Sequence, residues 1–194
     1  AAAEDKQVVA LGPGLGTGES TVEVVRRLSS SIAKPLVIDA DGINALAGRA
    51  QELRVRSEET VLTPHPGELG RLLGVPTGEV VSDRVAAARR AAGESGAVVV
   101  LKGRRSLIAT ADGEVFINPT GNAGMATGGA GDVLTGMIAA FIAQGYDALG
   151  AAQLGVFLHG LAGDLAAERV GEVPLRAGDL LEALPAALER LNSA

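Results

Sequence analysis

Cysteine is absent from this chain of 194 residues. Its absence excludes disulfides, thiolate catalysis and zinc–thiolate sites. It also fits a reducing compartment, so we expect a cytoplasmic protein. Aromatic residues are scarce as well, at 2% of the sequence, which argues against the aromatic platforms on which proteins stack nucleic-acid bases.

Basic residues are also few in this sequence. The chain has 17 Lys and Arg against 23 Asp and Glu, a net charge of -6 at pH 7, and its lysines are Lys6, Lys34 and Lys102. A protein that follows a nucleic-acid backbone needs a basic stripe, and this sequence contains none. We therefore expect no nucleic-acid partner.

Long hydrophobic runs are also missing. The longest apolar stretches, at 133–143 and 148–162, are broken by glycine and polar residues. They fall short of the ~20 apolar residues that a membrane span requires. The first residues lack the positive-then-apolar pattern of a signal peptide. The sequence therefore predicts no membrane association.

Short β-rich runs alternate with helical segments along the whole chain, which favours a mostly parallel sheet between layers of helices. With 47% hydrophobic residues, we expect residues 1–194 to form one three-layer α/β/α domain. Val22, Val25, Leu28 and Ile32 are spaced for one buried helix face. The predicted strands are 8–11, 36–39, 60–63 and 97–101, and the predicted helices are 19–32, 42–47, 67–73, 77–93, 131–144, 147–169 and 177–191.

Residues 106–117 follow a different pattern. Two β-rich pieces flank Ala111, Asp112 and Gly113, and the Asp-Gly pair is a hairpin signal. We expect an antiparallel hairpin at one edge of the sheet.

The glycine-rich run at 118–136 is the most informative segment. After several glycines it places Gly131 and Asp132 where an apolar helix is predicted to begin. Unpaired N–H groups and the helix dipole at such a start favour anions. A carboxylate there can take a proton from a substrate hydroxyl while amides hold phosphate oxygens. The segment therefore predicts phosphoryl chemistry.

Two common nucleotide signatures are excluded. G-x-G-x-x-G fails in the first glycine cluster, where Thr17, Glu19 or Thr21 would occupy the third glycine position. A Walker A loop needs Gly-Lys-Ser/Thr, and no lysine here follows a glycine. Phosphate binding must use other loops.

Several loops follow predicted strand ends, where open α/β sheets bind ligands. The cluster at 12–16 is either a tight turn or a ligand loop. One of Asp39 and Asp41 is expected to cap the helix at Gly42 while the other faces the crevice, and capping alone would explain at least one of them. The stiff segment at 63–68, which contains His65 and Glu68, is either a rigid connector or a ligand contact, and we favour the contact. His159, within an apolar helix, is interpreted as a packed residue.

Residues 102–106 also follow a strand end. Lys102, Gly103, Arg104, Arg105 and Ser106 bring three positive charges together. A solvated turn would have the same composition. Because the turn ends a buried strand at the edge expected to bind ligand, we favour a cradle for nucleotide phosphates.

Five segments taken together strongly resemble the ADP- or ATP-dependent NAD(P)H-hydrate dehydratases of the ribokinase-like superfamily. They are G-P-G-L-G, V-I-D-A-D-G-I-N-A-L, L-T-P-H-P-G-E, L-K-G-R-R-S and the run at 118–136. The resemblance implies repair of hydrated NADH and NADPH (NADHX and NADPHX, S epimer). ADP or ATP would phosphorylate the ring hydroxyl, phosphate would leave, and the ring double bond would re-form.

The resemblance also implies roles for individual residues. Asp132 is the implied base, and Gly16, His65 and Asp132 are implied contacts to the hydrated dinucleotide. Gly131 and the 102–106 loop are implied to bind ADP or ATP. Magnesium is implied to accompany the phosphates, with Glu68 as a candidate participant and no other metal ligand identified. Family members are expected to be homo-oligomers, often tetramers, and to carry a further N-terminal portion before the point where this sequence starts.

Two alternatives remain open. One is a ribokinase-like kinase for a vitamin-precursor alcohol, which would release a stable phosphorylated product. The other is a non-catalytic nucleotide-binding subunit, which would bind ADP or ATP without turnover. The segments at 64–68 and 121–129 favour the dehydratase over the kinase.

Overall fold

The computed structural model describes residues 3–193. Its strands are β1 (Val9–Leu11), β2 (Leu36–Ile38), β3 (Thr60–Leu62), β4 (Val98–Leu101), β5 (Leu107–Ala109) and β6 (Val115–Ile117). Its α-helices are α1 (Glu19–Ser31), α2 (Asp41–Ala45), α3 (Pro66–Leu73), α4 (Thr77–Ser82), α5 (Arg84–Ser95), α6 (Ala130–Ala143), α7 (Ala148–Val170) and α8 (Ala177–Asn192). Two short 3₁₀ helices span Ala50–Val55 and Ala123–Met125.

All six strands form one sheet in the order β1-β2-β3-β4-β5-β6. Strands β1 to β4 are parallel, and β5 and β6 continue the sheet in antiparallel pairs. The β5–β6 turn contains Asp112 and closes with a hydrogen bond from the Gly113 N–H to the Thr110 carbonyl. The predicted parallel sheet with an antiparallel edge hairpin is confirmed.

Alternate residues of each strand enter the two helical layers, as the two-residue period of a strand requires. Leu36, Ile38 and Leu62 pack beneath α2, α3 and α5. Val37 and Val61, on the other face, pack against α6 and α7. Helix α8 covers the outer side of α6 and α7 through Leu180, Ala183 and Ala187. The central strands are therefore buried on both faces, which explains their apolar sequences.

Two predictions of local structure were wrong. The helix predicted at 77–93 is interrupted at Asp83, whose backbone is not helical (φ -143, ψ 83) and whose side chain caps α5 by accepting from the Ala86 N–H. Leu28 is 37% exposed although Val25 on the same helix is buried, so the buried face of α1 is narrower than predicted. The 3₁₀ helix at Ala50–Val55 lies in a segment for which the sequence predicted no element.

The fold brings the loops of interest to one edge. Because β1 to β4 are parallel, the loops that follow them lie at the same edge of the sheet. Strand β6 is antiparallel to β5 and so runs in the direction of β4, which places the glycine-rich segment at this edge too. Within residues 3–193, no helix combines the length and apolar character needed to cross a bilayer.

Candidate active site

The start of α6 lies at the centre of this edge. Asp132 occupies the first helical turn and is exposed. Among the hydrogen bonds of residues 3–193, the N–H groups of Gly131 and Asp132 have no acceptor. An exposed carboxylate beside free amides at a helix start is the arrangement that the sequence predicted.

Lys102 reaches α6 from the end of β4. Its Nζ lies 2.7 Å from Asp39 Oδ1 and 3.6 Å from Glu68 Oε2, and its side chain is 20% exposed. A Cβ added at Gly131 would lie 3.3 Å from this Nζ. Lys102 and Gly131, both predicted for the nucleotide site, are therefore adjacent, and a side chain at position 131 would crowd the ammonium group.

Asp39 is the buried carboxylate that holds Lys102. Only 1% of Asp39 is exposed. Its Oδ2 accepts a hydrogen bond from Thr135 Oγ1 at 2.9 Å, and Thr135 in turn lies 3.4 Å from Thr63 Oγ1. Burial of a charge is tolerated when it is paired and hydrogen-bonded in this way. Sequence reasoning placed Asp39 at this edge but did not identify Lys102 as its partner.

Neither Asp39 nor Asp41 caps α2 through its side chain. The Gly42 N–H donates to the backbone carbonyl of Asp39, so the side-chain cap expected from one of the two carboxylates was wrong. Asp41 Oδ2 instead accepts from the Gly16 N–H at 2.8 Å. This bond fixes Gly16, a predicted substrate contact, against the start of α2.

The turn before Gly16 is tightly packed. A Cβ at Gly12 would approach within 2.8 Å of the Asp39 carbonyl carbon, so only glycine fits between β1 and the residue that follows β2. The tight-turn alternative therefore describes the start of this cluster. Gly14 and Gly16 have open space around them and leave room for a ligand.

His65 caps α3. Its Nδ1 accepts from the N–H groups of Gly67 (3.0 Å) and Glu68 (3.3 Å), and Glu68 Oε2 accepts from the His65 N–H at 2.7 Å. This reciprocal pair is a capping box. The His65 side chain remains 51% exposed. The segment is thus a rigid connector that still presents an imidazole to solvent, a capping role that sequence reasoning missed.

The 102–106 loop presents most of its charge to solvent. Gly103, Arg104 and Arg105 are exposed, and Ser106 is partly buried, with its Oγ donating to the Gly103 carbonyl at 3.2 Å. Only Lys102 turns inward to the carboxylates. The loop therefore does not act as one cluster of side chains.

Helix α7 holds the start of the glycine-rich segment through hydrogen bonds. Asp164 accepts from the Gly121 N–H at 2.9 Å and from Asn122 Nδ2 at 3.0 Å. Thr120 Oγ1 donates to the Phe157 carbonyl at 2.8 Å. Asp164 was not singled out from the sequence, because a lone acid within an apolar helix carries no signal of a distant loop partner.

His159 fixes the first residue of α6. Its Nε2 lies 2.9 Å from the Ala130 carbonyl oxygen and donates to it. Burial lowers the pKa of His159 to about 4, against a smaller raising effect of this hydrogen bond, and the nearby Lys102 charge lowers it further. The imidazole is therefore neutral at pH 7, in keeping with the packed residue that was predicted.

The protein side chains alone do not form a metal cage. No group of three or more His, Asp or Glu side chains within residues 3–193 is arranged to hold a metal ion. Glu68, the candidate participant, already accepts from the His65 N–H and faces Lys102. Mg²⁺ at phosphate-transfer sites commonly takes one or two carboxylates and fills its remaining positions with phosphate oxygens and water. This edge offers the exposed carboxylate of Asp132 for that type of binding, and a contact from Glu68 stays a prediction.

Two open surface depressions lie elsewhere. One of about 590 Å³ is lined by residues 47–52 and Glu94, and another of about 300 Å³ by residues 53, 54 and 56–60 with Ser95 and Gly96. The second lies where β3 and β4 begin, at the opposite edge of the sheet. Neither contains a predicted site residue, and the charged groups described above do not line them.

Comparisons with known proteins identify the family of this chain and several relatives. A sequence profile of the NAD(P)H-hydrate dehydratase family matches residues 1–186. The chain is 50% identical over 185 residues to the bifunctional NAD(P)H-hydrate repair enzyme Nnr of Moorella thermoacetica, covering 95% of this chain and 35% of that protein. It is 42% identical over 184 residues to the ADP-dependent (S)-NAD(P)H-hydrate dehydratase of Neisseria meningitidis serogroup B, covering 93% of this chain and 62% of that protein.

Solved structures agree as well. The ADP/ATP-dependent NAD(P)H-hydrate dehydratase from Bacillus subtilis, co-crystallized with ATP/Mg2+, superimposes with a TM-score of 0.87 at 37% identity, covering 96% of this chain and 66% of that one. A ribokinase-like superfamily protein from Enterococcus faecalis matches with a TM-score of 0.78 at 32% identity, covering 95% of this chain and 63% of that one.

The ribokinase-like fold inferred from the sequence is therefore confirmed. The chain spans only about a third of the Moorella protein and 62% of the Neisseria one. The profile nevertheless matches nearly all of this sequence. This chain belongs to the NAD(P)H-hydrate dehydratase family.

Proposed function

We propose that this protein uses ADP or ATP to dehydrate the S epimers of NADHX and NADPHX, restoring NADH and NADPH. The reaction is a hydro-lyase reaction that repairs a damaged cofactor. Family membership supports this proposal, as do the activities named for the Neisseria and Bacillus relatives. Because NADH and NADPH are used inside cells, the proposal includes a cytoplasmic location.

One observation carries the proposal: Asp132 and free amides occupy the start of α6 with the Lys102 ammonium group beside Gly131. A base for an alcohol and positive groups for a phosphate are thereby brought within one small region. Phosphoryl transfer depends chiefly on such positioning and charge stabilisation.

The first step forms an oxygen–phosphorus bond. The ring hydroxyl of the hydrated dinucleotide attacks the terminal phosphorus of ADP or ATP, and Asp132 accepts the hydroxyl proton. The bond between that phosphorus and its bridging oxygen breaks, so AMP or ADP leaves with the electron pair. Lys102, Gly131 and the remainder of the 102–106 loop would hold the phosphates, and Mg²⁺ bound to them would offset negative charge.

The second step removes the new phosphate ester. Phosphate leaves with the carbon–oxygen electron pair, the neighbouring ring carbon loses a proton, and the ring double bond returns. Phosphate leaves more readily than hydroxide, which explains why a dehydration consumes a nucleotide. We propose that Gly16 and His65 contact the dinucleotide, since Gly16 is open to solvent and the His65 ring is half exposed.

The decisive experiment incubates the protein with hydrated NADH, Mg²⁺ and either ADP or ATP. Recovery of the reduced-nicotinamide absorbance together with release of phosphate is expected. A stable phosphorylated product without absorbance recovery would instead indicate a small-molecule kinase. Nucleotide binding without any turnover would indicate a non-catalytic subunit. Running both nucleotides and both dinucleotides in parallel identifies the preferred pair.

A further inference from the structure

One arginine outside the predicted site holds the 102–106 loop. Arg84, the first residue of α5, donates through Nη1 to the Arg104 carbonyl at 2.7 Å. Its Nη2 lies 3.3 Å from the Leu101 carbonyl oxygen and 3.5 Å from that of Arg105. The planar guanidinium has several donors in a fixed geometry, so a single side chain sets the direction of three carbonyl groups.

Those carbonyl directions also determine where the neighbouring N–H groups point. In a trans peptide the N–H points opposite to the C=O of the same plane, and residues 3–193 contain no cis bond. The carbonyls of Arg104 and Arg105 point to Arg84, so the N–H groups of Arg105 and Ser106 point away from it. Neither N–H has an acceptor among the hydrogen bonds of the described chain.

The loop backbone has the shape of an anion site. Arg105 adopts a left-handed conformation (φ 54), and successive N–H groups around such a residue form a concavity that binds anions. Gly103 has φ 142, and a Cβ there would lie 3.1 Å from Arg84 Nη2. The positive φ favours glycine at this position, and a side chain there would also crowd Arg84.

The direction of the free amides relative to α6 follows from how α5 and α6 pack on the sheet. Helix α5, and with it Arg84, packs on one face of the sheet, whereas α6 packs on the other. The side opposite Arg84 is thus the side where the Lys102 ammonium group meets Gly131. An anion held by the loop amides would be directed toward the start of α6.

We propose that Arg84 is a positioning residue, which orients the amides of Arg105 and Ser106 to bind phosphate groups of the nucleotide. The inference rests on the proposed function in that the anion is taken to be part of ADP or ATP. Arg84 does not touch the ligand; it acts through the loop backbone.

The test compares Arg84→Ala with Arg89→Ala by calorimetric titration with ADP and with ATP. Arg89 lies on the same helix and also donates to a loop carbonyl, that of Gly113 at 2.9 Å, but this loop is the β5–β6 turn at the opposite edge. We expect the dissociation constant to rise about tenfold or more for Arg84→Ala and to stay unchanged for Arg89→Ala. Arg84→Lys should fall between wild type and Arg84→Ala, because an ammonium group cannot reproduce the planar fork.

Steady-state kinetics provide the second readout. A rise in the KM for the nucleotide, with the KM for hydrated NADH unchanged, is expected for both Arg84 variants. Equal rises in both KM values would indicate a general structural role and overturn the inference. The inference is also overturned if folded Arg84→Ala binds nucleotide with the affinity of the wild type. If the alanine variant does not fold, the same result in Arg84→Lys overturns it.

Direct binding separates this inference from the proposed function. If the wild type binds ADP and the Arg84 variants lose affinity while no NADH is recovered, the inference stands and the dehydratase activity fails. If the wild type binds neither ADP nor ATP, both fail.

Discussion

Asp132 is the residue on which the proposed chemistry depends. We expect Asp132→Asn to abolish turnover, because an amide cannot accept the hydroxyl proton, and to leave the fold intact because Asp132 is exposed and holds no side-chain partner among residues 3–193. The loss should appear in kcat in the NADH-recovery assay, with thermal unfolding close to wild type.

Asp179 provides the matched control for that substitution. It also occupies the first turn of a helix, α8, where it accepts from the Arg176 N–H at 2.8 Å. Asp179→Asn should keep full activity. Activity near wild type in Asp132→Asn would remove that carboxylate from the role of base.

His159 should make stability depend on pH. Its ordinary pKa of 6.5 is lowered to about 4 in the folded protein, so the unfolded chain takes up the proton first as the pH falls. The contribution of neutral His159 to the free energy of unfolding is therefore fully present above pH 6.5. It is lost as the pH falls toward 4, by up to ~3 kcal/mol. Denaturant unfolding at several pH values, compared between wild type and His159→Gln, measures it. Parallel pH profiles for the two proteins would contradict the prediction.

At the scale of elements, the contact between α7 and the glycine-rich segment depends on small residues. A Cβ at Gly160 would collide with Thr120 Oγ1 and lie 2.7 Å from the Thr120 carbonyl carbon. We expect Gly160→Ala to push the segment from α7 and to lower the free energy of unfolding by about 1–3 kcal/mol. It should also reduce activity, because the same segment leads into α6.

Gly136 on α6 is the comparison for that helix substitution. It is exposed, and a Cβ there meets nothing within 4 Å. Gly136→Ala should raise the unfolding free energy by about 0.5–1 kcal/mol through helix propensity. Equal stability changes in the two variants, measured in urea, would show that the Thr120 contact is unimportant.

The predictability of the fold varied between elements. Strands β2 and β4 were found because apolar, β-branched runs follow loop signals. The break at Asp83 was missed because the helical pattern continues on both sides of it, and the cap is recognised only when its bond to the Ala86 N–H is seen. A local pattern contains no information on such a change of direction.

The position of the candidate site could be predicted from the sequence, but the contacts between its residues could be predicted less well. Asp132 and Gly131 could be placed at a helix start, and the 102–106 loop at a strand end. The pairing of Lys102 with Asp39 joins residues 63 positions apart, and Arg84 lies 20 positions from Arg104. Such contacts depend on how the layers pack, which the periodicity of one sequence does not specify.

For the whole molecule, we propose a homo-oligomer, with the tetramer as the expected form. Leu181, Leu188 and Leu191 lie on one side of α8 and are 55%, 38% and 37% exposed, which favours burial against another copy. Leu181→Glu should lower the molar mass measured by light scattering while the helical content stays unchanged. Glu182→Gln, on the same helix, should not. A monomeric wild type would contradict this assembly.

The bond between Thr135 and Asp39 spans 96 positions of the chain. During synthesis on the ribosome, Asp39 is therefore made long before Thr135, its hydrogen-bond partner on α6. Closing so distant a contact is slow relative to local helix formation. Recovery of nucleotide binding during refolding should thus lag behind recovery of the circular dichroism signal. The length of this lag would measure how long the site takes to form after the helices.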